Sequence, residues 1–498
     1  MPLYFKLRVR KCFAPYSEIC GYHRNITLCF KVLNIKAAKA IIHCKDGERK
    51  EVAVLKKRMD ISPNRVIALG FIAMILIGSL LLMLPISSRS GESMGFIDSL
   101  FTATSATCVT GLVVVDTWSH FNLFGQMIIL LLIQIGGLGY MTLAMTIAIL
   151  LGKKMGLKSR SLMMESVSAR NLGSIFDLLK YIVFGTAAIE GIGAVILSIR
   201  FIPEFGIARG CWYSIFHSIS AFCNAGFDLM GFREPYSSLM YYAEDPLMNI
   251  TVSALILLGG LGFVVWQDVW INGLKFRKYT LHTKLMVTAS AILTVGGTLL
   301  FLAAESGNVL ADMSAADRWL ASFFQSVTAR TAGFNTVDLA SLSGAGGLLM
   351  IVLMFIGAGP GSTGGGVKVT TVVVCLLSLI GYARGRRDVS VFNRRLDENQ
   401  IRRSASAVTL YMTLTLVGCY IIMVTQSFDI QDVLFEVFSA MSTVGLSTGI
   451  TRDLSLLNRI VVILMMFCGR IGSLTMIMAV VEHLPPRIKD PVEHIVIG

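Results

Sequence analysis

The chain has 498 residues, 54% of them hydrophobic and only 15% charged, with a mean hydropathy of +0.69. A soluble globular protein carries about 25% charged residues, so this composition excludes a water-covered globule, along with disorder, collagen, coiled coil and small disulfide scaffolds, and leaves a polytopic membrane protein. The net charge of +13 sits at one end, with fourteen Lys/Arg against four acids in residues 1–58 and thirty against twenty-seven in the rest.

Taken in chain order, residues 1–58 form a basic tail with no assigned function. It has no nucleic-acid motif and leads into membrane spans, so its charge does not argue for nucleic-acid binding. Met1 opens no cleavable signal pattern, and Met59 is a second candidate start just before the first apolar run. Four of the ten cysteines (Cys12, Cys20, Cys29, Cys44) lie in the tail, and the others sit in or beside apolar segments. No CxxC pair or His/Cys metal spacing occurs, so the ten read as reduced or buried thiols.

A bilayer core about 30 Å thick needs about 20 mostly apolar helical residues. Eight stretches qualify: Val66–Leu84, Gln126–Leu151, Leu178–Ile199, Met248–Trp270, Leu285–Leu302, Leu348–Leu379, Ala407–Val424 and Ile460–Val481. Between the members of successive pairs lie shorter semi-polar segments, Phe96–Thr107, Cys211–Phe222, Arg318–Ala329 and Val433–Met441. They are too short to cross and too apolar for ordinary loops, which predicts re-entrant half-helices surrounded by protein or a water-filled cavity.

Each half-helix ends in a similar string: Cys108-Val109-Thr110-Gly111-Leu112, Cys223-Asn224-Ala225-Gly226-Phe227, Arg330-Thr331-Ala332-Gly333-Phe334 and Ser442-Thr443-Val444-Gly445-Leu446. Their glycines are 115, 107 and 112 residues apart. The fold class is therefore an all-α polytopic membrane protein of four span, half-helix, span repeats with pseudo-fourfold symmetry around one pore. The repeats are placed at 59–160, 161–280, 281–395 and 396–498. Gly136-Gly137-Leu138-Gly139, Gly259-Gly260-Leu261-Gly262 and Gly469-Arg470-Ile471-Gly472 repeat in the second spans, while the third unit departs after Gly357.

Basic residues mark the links between repeats: Lys153, Lys154, Lys158 and Arg160, then Lys275, Arg277, Lys278 and Lys284, then seven arginines from Arg384 to Arg403. Links beside the glycine strings carry Asp98, Asp116, Asp228, Glu234, Asp338 and Asp453. The excess of positive charge on inner loops then predicts cytoplasmic termini and outward-facing glycine strings.

Glycine lets backbone carbonyls approach an axis without a Cβ clash. A ring of carbonyl oxygens replaces the hydration shell of a monovalent cation, and the C-terminal ends of four half-helices add partial negative charge. The bland alternative is that these glycines only serve close helix packing. Four of them at matched places, each closing a segment too short to span, favour the cation pore.

These residues resemble the Trk/Ktr/HKT superfamily of potassium transporters, most closely the membrane subunit of bacterial Ktr-type systems, from Met59 to Gly498. Thr-Cys-Val-Thr-Gly at 107–111, Asn-Ala-Gly-Phe at 224–227, Thr-Ala-Gly-Phe at 331–334 and Ser-Thr-Val-Gly-Leu at 442–446 carry the resemblance. It implies a potassium selectivity filter formed by Val109, Thr110, Gly111, Asn224, Ala225, Gly226, Thr331, Ala332, Gly333, Thr443, Val444 and Gly445. Potassium is then the substrate, bound at these filter residues, and sodium is the second candidate cation. Some plant relatives that pass sodium have Ser at the first glycine, and Gly111 argues against that variant. The extra N-terminal spans of Trk-type members are missing from the pattern, which prefers the Ktr type.

The same resemblance makes residues 357–368 an intramembrane gate loop below the filter. Gly357, Gly359, Pro360, Gly361, Ser362, Thr363, Gly364, Gly365 and Gly366 cannot continue a regular helix, and Lys368 is placed to bond loop carbonyls or a nearby acid. Arg470 takes the family's role of an inner-pore electrostatic barrier, at a depth where a charge costs ~2.5 kcal/mol or more; the alternatives are a structural salt bridge for Arg470 and a passive kink packed between helices for the loop. Arg330 is expected to be structural, tied to neighbouring acids. The Gly-x-Gly-x-x-Gly match at Gly359, Gly361 and Gly364 lies inside a span and lacks the strand that a dinucleotide site requires. His120, His217 and His282 read as interfacial. No HExxH, nucleophile elbow or Walker A occurs, so the chain is not expected to be an enzyme.

The resemblance further implies potassium uptake through a homodimer in the bacterial cytoplasmic membrane. It also implies a cytoplasmic ring of nucleotide-binding (ATP/ADP) regulatory subunits. The Arg384–Arg403 loop is the expected docking surface, although a solvated inner loop has the same composition. Membrane lipid is the other partner, sodium dependence is typical of Ktr relatives, and no cofactor is expected on this chain. The rivals are a sodium-permeable or weakly selective cation channel, and a membrane enzyme or non-conducting scaffold. The second rival predicts clustered His, Asp or Cys around one cavity, which the sequence does not show.

Overall fold

A computed structural model of the chain describes residues 63–139, 142, 175–386 and 388–472. The basic tail, the first inter-repeat link and the segment after Gly472 lie outside the described residues. Among those described, the structure is helical apart from one two-stranded hairpin, Ser390–Val391 against Arg394–Arg395.

Four helices are long and apolar enough to cross a membrane, and each is the first of its repeat. These outer helices are Pro63–Met83, Ile175–Phe205, Leu281–Glu305 and Glu398–Thr425. Each leads into a pore helix of 12 to 16 residues: Phe96–Thr107, Ile207–Phe222, Ala315–Thr328 and Ile430–Ser442. The first of these half-helices falls where the sequence places it, and the other three begin three or four residues earlier than expected. Pore-helix aromatics Phe101, Phe216, Phe324 and Phe435 are fully buried or nearly so, because other helices surround the short segment on all sides.

The inner helices start at side-chain caps. Asn122 accepts from the Phe124 and Gly125 N–H groups, Asp245 from Leu247 and Met248, Ser343 from Gly346 and Ser455 from Asn458. Each cap satisfies backbone donors that the first turn leaves unpaired. The inner helices then break: the third does so at the glycine-rich stretch, as expected, and the other three correct the expectation of continuous spans at Gln126–Leu151, Met248–Trp270 and Ile460–Val481, although most of the first and last beyond Gly139 and Gly472 lies outside the described residues. Leu123–Leu138 ends at Gly139 and Leu456–Ile471 at Gly472, at φ +81° and +92°. Pro246–Leu261 bends by 95° at Gly262 into Phe263–Asn272. In the third repeat Gly344–Phe355 and Val369–Ala383 are separated by residues 356–368. The last glycine of the Gly-Gly-x-Gly-like motif is thus a break: it adopts the left-handed backbone that other residues avoid.

Each inner helix packs on the pore helix of the next repeat, one on two, two on three, three on four and four on one. That order closes the four repeats into a ring, the packing behind the pseudo-fourfold symmetry. In repeats one, two and four, close approach of the inner helix to its own pore helix requires glycine. A Cβ on Gly136, Gly259 or Gly469 would collide with the carbonyl of Thr107, Phe222 or Met441.

Candidate functional site

At the C-terminal end of each pore helix the chain turns into a glycine strand with one repeated conformation. Val109, Asn224, Thr331 and Thr443 have φ between +52° and +69°, and two residues later Gly111, Gly226, Gly333 and Gly445 have φ between +71° and +96°. The residue between them is not left-handed. Non-glycine residues at positive φ are uncommon, and four at matched positions make a built feature.

The strand N–H groups point back into the pore helices. Thr110, Ala225 and Val444 donate to the carbonyls of Ser105, Ser220 and Ser439, each at 2.8 Å, and Ala332 donates to Thr328 at 3.0 Å. Gly111 and Gly445 donate to the hydroxyls of Ser105 and Ser439 at 3.0 Å. Ser220 and Thr328 turn their hydroxyls instead to the Phe227 and Phe334 carbonyls at 2.7 and 2.6 Å. Sequence reasoning did not single out these hydroxyls. Their signal is the repeat itself: Ser stands six residues before three of the glycines, and Thr five before the other.

With the N–H groups committed outward, the carbonyls face the neighbouring strands. A Cβ on Gly111 would stand 2.5 Å from the Ala225 oxygen, one on Gly226 2.8 Å from Ala332, and one on Gly333 2.5 Å from Val444. One on Gly445 would fall closer still to Thr110, so the series returns to the first strand. Eight of the twelve predicted strand residues, the four glycines and Thr110, Ala225, Ala332 and Val444, therefore meet in one closed ring.

Above the ring a cavity of about 200 Å³ touches all four glycines. It is lined by Asp116, Asp228 and Asp338 with Arg452 as its basic member. Asp116 accepts from the Ser119 and Tyr236 N–H groups at 2.7 and 3.1 Å. Burial and the neighbouring Asp116 charge push the Asp228 carboxyl up to about 7. Asp98 is paired with Arg459 and does not line this cavity.

Below the ring lies the glycine-rich loop of the third repeat. Its ends are pinned by Gly357 donating to Val367 at 2.9 Å and Val369 donating to Ala358 at 3.2 Å. Gly359 donates to Gly260 at 2.9 Å and Phe263 to Gly361 at 2.8 Å, which ties the loop across to the bent inner helix of repeat two. The Ser362 hydroxyl turns in to the Gly359 carbonyl at 2.6 Å, and that of Thr363 reaches Phe222 at 3.1 Å. A Cβ on Gly364 would overlap the Thr331 hydroxyl and one on Gly365 that of Thr443. The loop therefore sits directly under strands three and four.

Two cations hold it. Lys368 donates to the Gly364 and Gly365 carbonyls at 2.7 and 3.4 Å; of the two partners foreseen for it, the structure selects the carbonyls. Arg470 donates to Thr363 in the loop and, from the other side of its guanidinium, to Gly136 and Gly137 of the first inner helix. A charge at this depth needs such partners.

Two expectations are corrected. Among the described residues Arg330 pairs with no acid: it donates to the Thr294 hydroxyl at 2.6 Å, because a hydroxyl of the neighbouring outer helix faces it. His217 is not interfacial but fully buried, with Nδ1 2.7 Å from the Tyr213 carbonyl and Nε2 accepting from Leu229 at 3.3 Å. Among the described residues no group of His, Cys, Asp and Glu could hold a metal ion, and Cys108, Cys211, Cys223, Cys375 and Cys419 are free thiols.

Comparison with known proteins gives concordant matches. Residues 59–488 match the TrkH family, described as a cation transport protein. The chain is 40% identical over 457 residues to the potassium/sodium uptake protein NtpJ of Enterococcus hirae, covering 90% of this chain and 100% of that one. It is 41% identical over 432 residues to the Ktr system potassium uptake protein B of Bacillus subtilis, covering 86% and 95%. Among solved structures, the potassium transporter TrkH of Vibrio parahaemolyticus superposes with a TM-score of 0.67 at 19% identity, covering 85% of each chain.

Proposed function

The chain belongs to the TrkH family of cation transport proteins, and on that premise we propose that it takes up potassium across the cytoplasmic membrane through the ring of four glycine strands. It is an ion transporter and not an enzyme. The observation that carries the reading is the closed series of glycine-to-carbonyl approaches from strand one through strand four and back. Carbonyls crowded on one axis replace a hydration shell. The four pore helices direct the negative ends of their dipoles at the same place.

Inward movement of one charge gains ~2.3 kcal/mol per 100 mV, so uptake needs no nucleotide hydrolysis by this chain. The loop 357–368, with Lys368 and Arg470, is the gate: it lies under two strands and is bonded to repeats two and four, and Arg470 extends the tie to repeat one. The exposed Arg384–Arg403 region, where Arg395 pairs with Asp388, is the docking surface for a cytoplasmic nucleotide-binding regulatory ring. A homodimer and cytoplasmic termini complete the reading.

A sodium-permeable pore is the second reading. It is supported by the name of the Enterococcus hirae relative, a potassium/sodium uptake protein, and ion competition separates the two. The test is growth of a potassium-uptake-deficient bacterium on limiting potassium, with the chain and a regulatory subunit co-expressed. The wild type is expected to rescue growth and Gly445→Ser, present at equal amount, to need far more potassium. Equal rescue by both would remove Gly445 from the filter.

A further inference from the structure

Three residues before each strand glycine stand Cys108, Cys223, Arg330 and Ser442, all more than nine-tenths buried. In three repeats this side chain reaches away from the axis to the outer helix of its own repeat. The Cys223 thiol lies 3.9 Å from the Glu190 carboxyl and 3.5 Å from Gln134, whose amide donates to Glu190 at 3.2 Å. Arg330 donates to Thr294 at 2.6 Å. The hydroxyls of Ser442 and Tyr411 meet at 2.5 Å. The chemistry changes from repeat to repeat while the position and direction do not. Polar groups at membrane depth are costly and are retained where they pair or perform a function.

We propose that Cys223, Arg330 and Ser442 are positioning residues that pin the lower end of their glycine strands to Glu190, Thr294 and Tyr411, so setting the carbonyl spacing that prefers potassium over sodium. The proposal rests on the filter reading. Arg330 carries a further contact, since it lines a cavity of about 20 Å³ with Ser290, Gly357 and Ala358. Its Nε has no partner, and a cavity of that size holds one water. The third anchor therefore also borders the root of the glycine-rich loop.

The test uses the full chain with its regulatory subunit in cells lacking other potassium uptake, measuring potassium KM, maximal rate and inhibition by sodium at verified membrane amounts. Thr294→Val and Tyr411→Phe each remove one hydroxyl and little volume. Each is expected to lower the potassium-over-sodium preference and raise KM about threefold to tenfold, the scale of one lost hydrogen bond, with the maximal rate kept. Thr294→Ser, which restores the hydroxyl, is expected to recover the wild-type preference. Thr413→Val, exposed on the same helix as Tyr411, sets the background.

Unchanged preference and KM in both variants would overturn the proposal. So would an equal fall in rate for both ions, because that is what lost packing alone produces. If one variant failed to reach the membrane, the other would decide. A wild type that took up no potassium would defeat the filter reading and this proposal with it, whereas a transporting wild type with unaltered variants would defeat the anchors alone.

Discussion

The glycine ring and the layer beneath it obey different rules. In the ring four repeats adopt one backbone, the residue before each glycine donates its N–H to the pore helix, and each glycine faces the next carbonyl. Beneath it the repeats diverge: described inner helices one, two and four turn at a single glycine, while the third inserts residues 356–368, and only the fourth carries Arg470 in place of a glycine. A cation stripped of water needs oxygens on every side, so any one defective strand spoils the ring. An obstruction needs only one arm. On the proposed reading, symmetry is kept where the ion would be bound and relaxed where it would be blocked.

The largest effect expected from this contrast lies in the ring. Gly445→Ser should reduce potassium uptake at limiting concentration on the order of a hundredfold, because left-handed strain of about 1–2 kcal/mol adds to a collision with a filter carbonyl. Gly385→Ala sharpens the point: φ is +65° there too, yet nothing lies within 4 Å of the added Cβ. It should lose a little stability and leave ion preference intact. If Gly385→Ala matched Gly445→Ser, backbone strain rather than the ring would explain both.

In the layer beneath, Arg470→Gln should act in the opposite sense. It removes a positive charge from the path and two ties to the first inner helix, so uptake without the regulatory subunit should rise about tenfold in proteoliposomes. Lys368→Met frees two loop carbonyls and should raise the same leak by a smaller factor, about threefold. A leak unchanged in both variants would leave the loop a passive kink.

The smallest effect is in the vestibule. Asp228 is pushed up to about 7, so it is neutral below that pH and negative above it. Local cation capture should then improve as pH rises from 6 to 8, lowering the potassium KM about twofold, and Asp228→Asn should flatten that dependence. Uptake kinetics across this range read it directly.

Much of the ring was legible in the sequence because it is written four times. The half-helix Phe96–Thr107 was located to the residue, and the twelve strand positions followed from four matched strings. The loop at 357–368 was visible because Pro360 and six nearby glycines interrupt an apolar run. What escaped depends on contacts across the fold. The inner-helix breaks at Gly139, Gly262 and Gly472 look like helix-packing glycines until the backbone is seen to turn there. Arg330 was assigned acids because charge suggests charge, whereas the helix facing it offers the Thr294 hydroxyl. His217 was read as interfacial from its place in the chain, yet it ties its pore helix to the loop beyond the strand.

The central claim is that the four strands act as one filter, and the most direct measurement compares Gly111→Ser, Gly226→Ser, Gly333→Ser and Gly445→Ser one at a time. Potassium and sodium uptake are measured in the same potassium-deficient cells at matched membrane amounts. The account predicts that every variant loses potassium preference, since each added side chain meets the neighbouring carbonyl. If one or more of the four kept wild-type preference, the ring would not be a single ion-binding structure and the claim would be wrong.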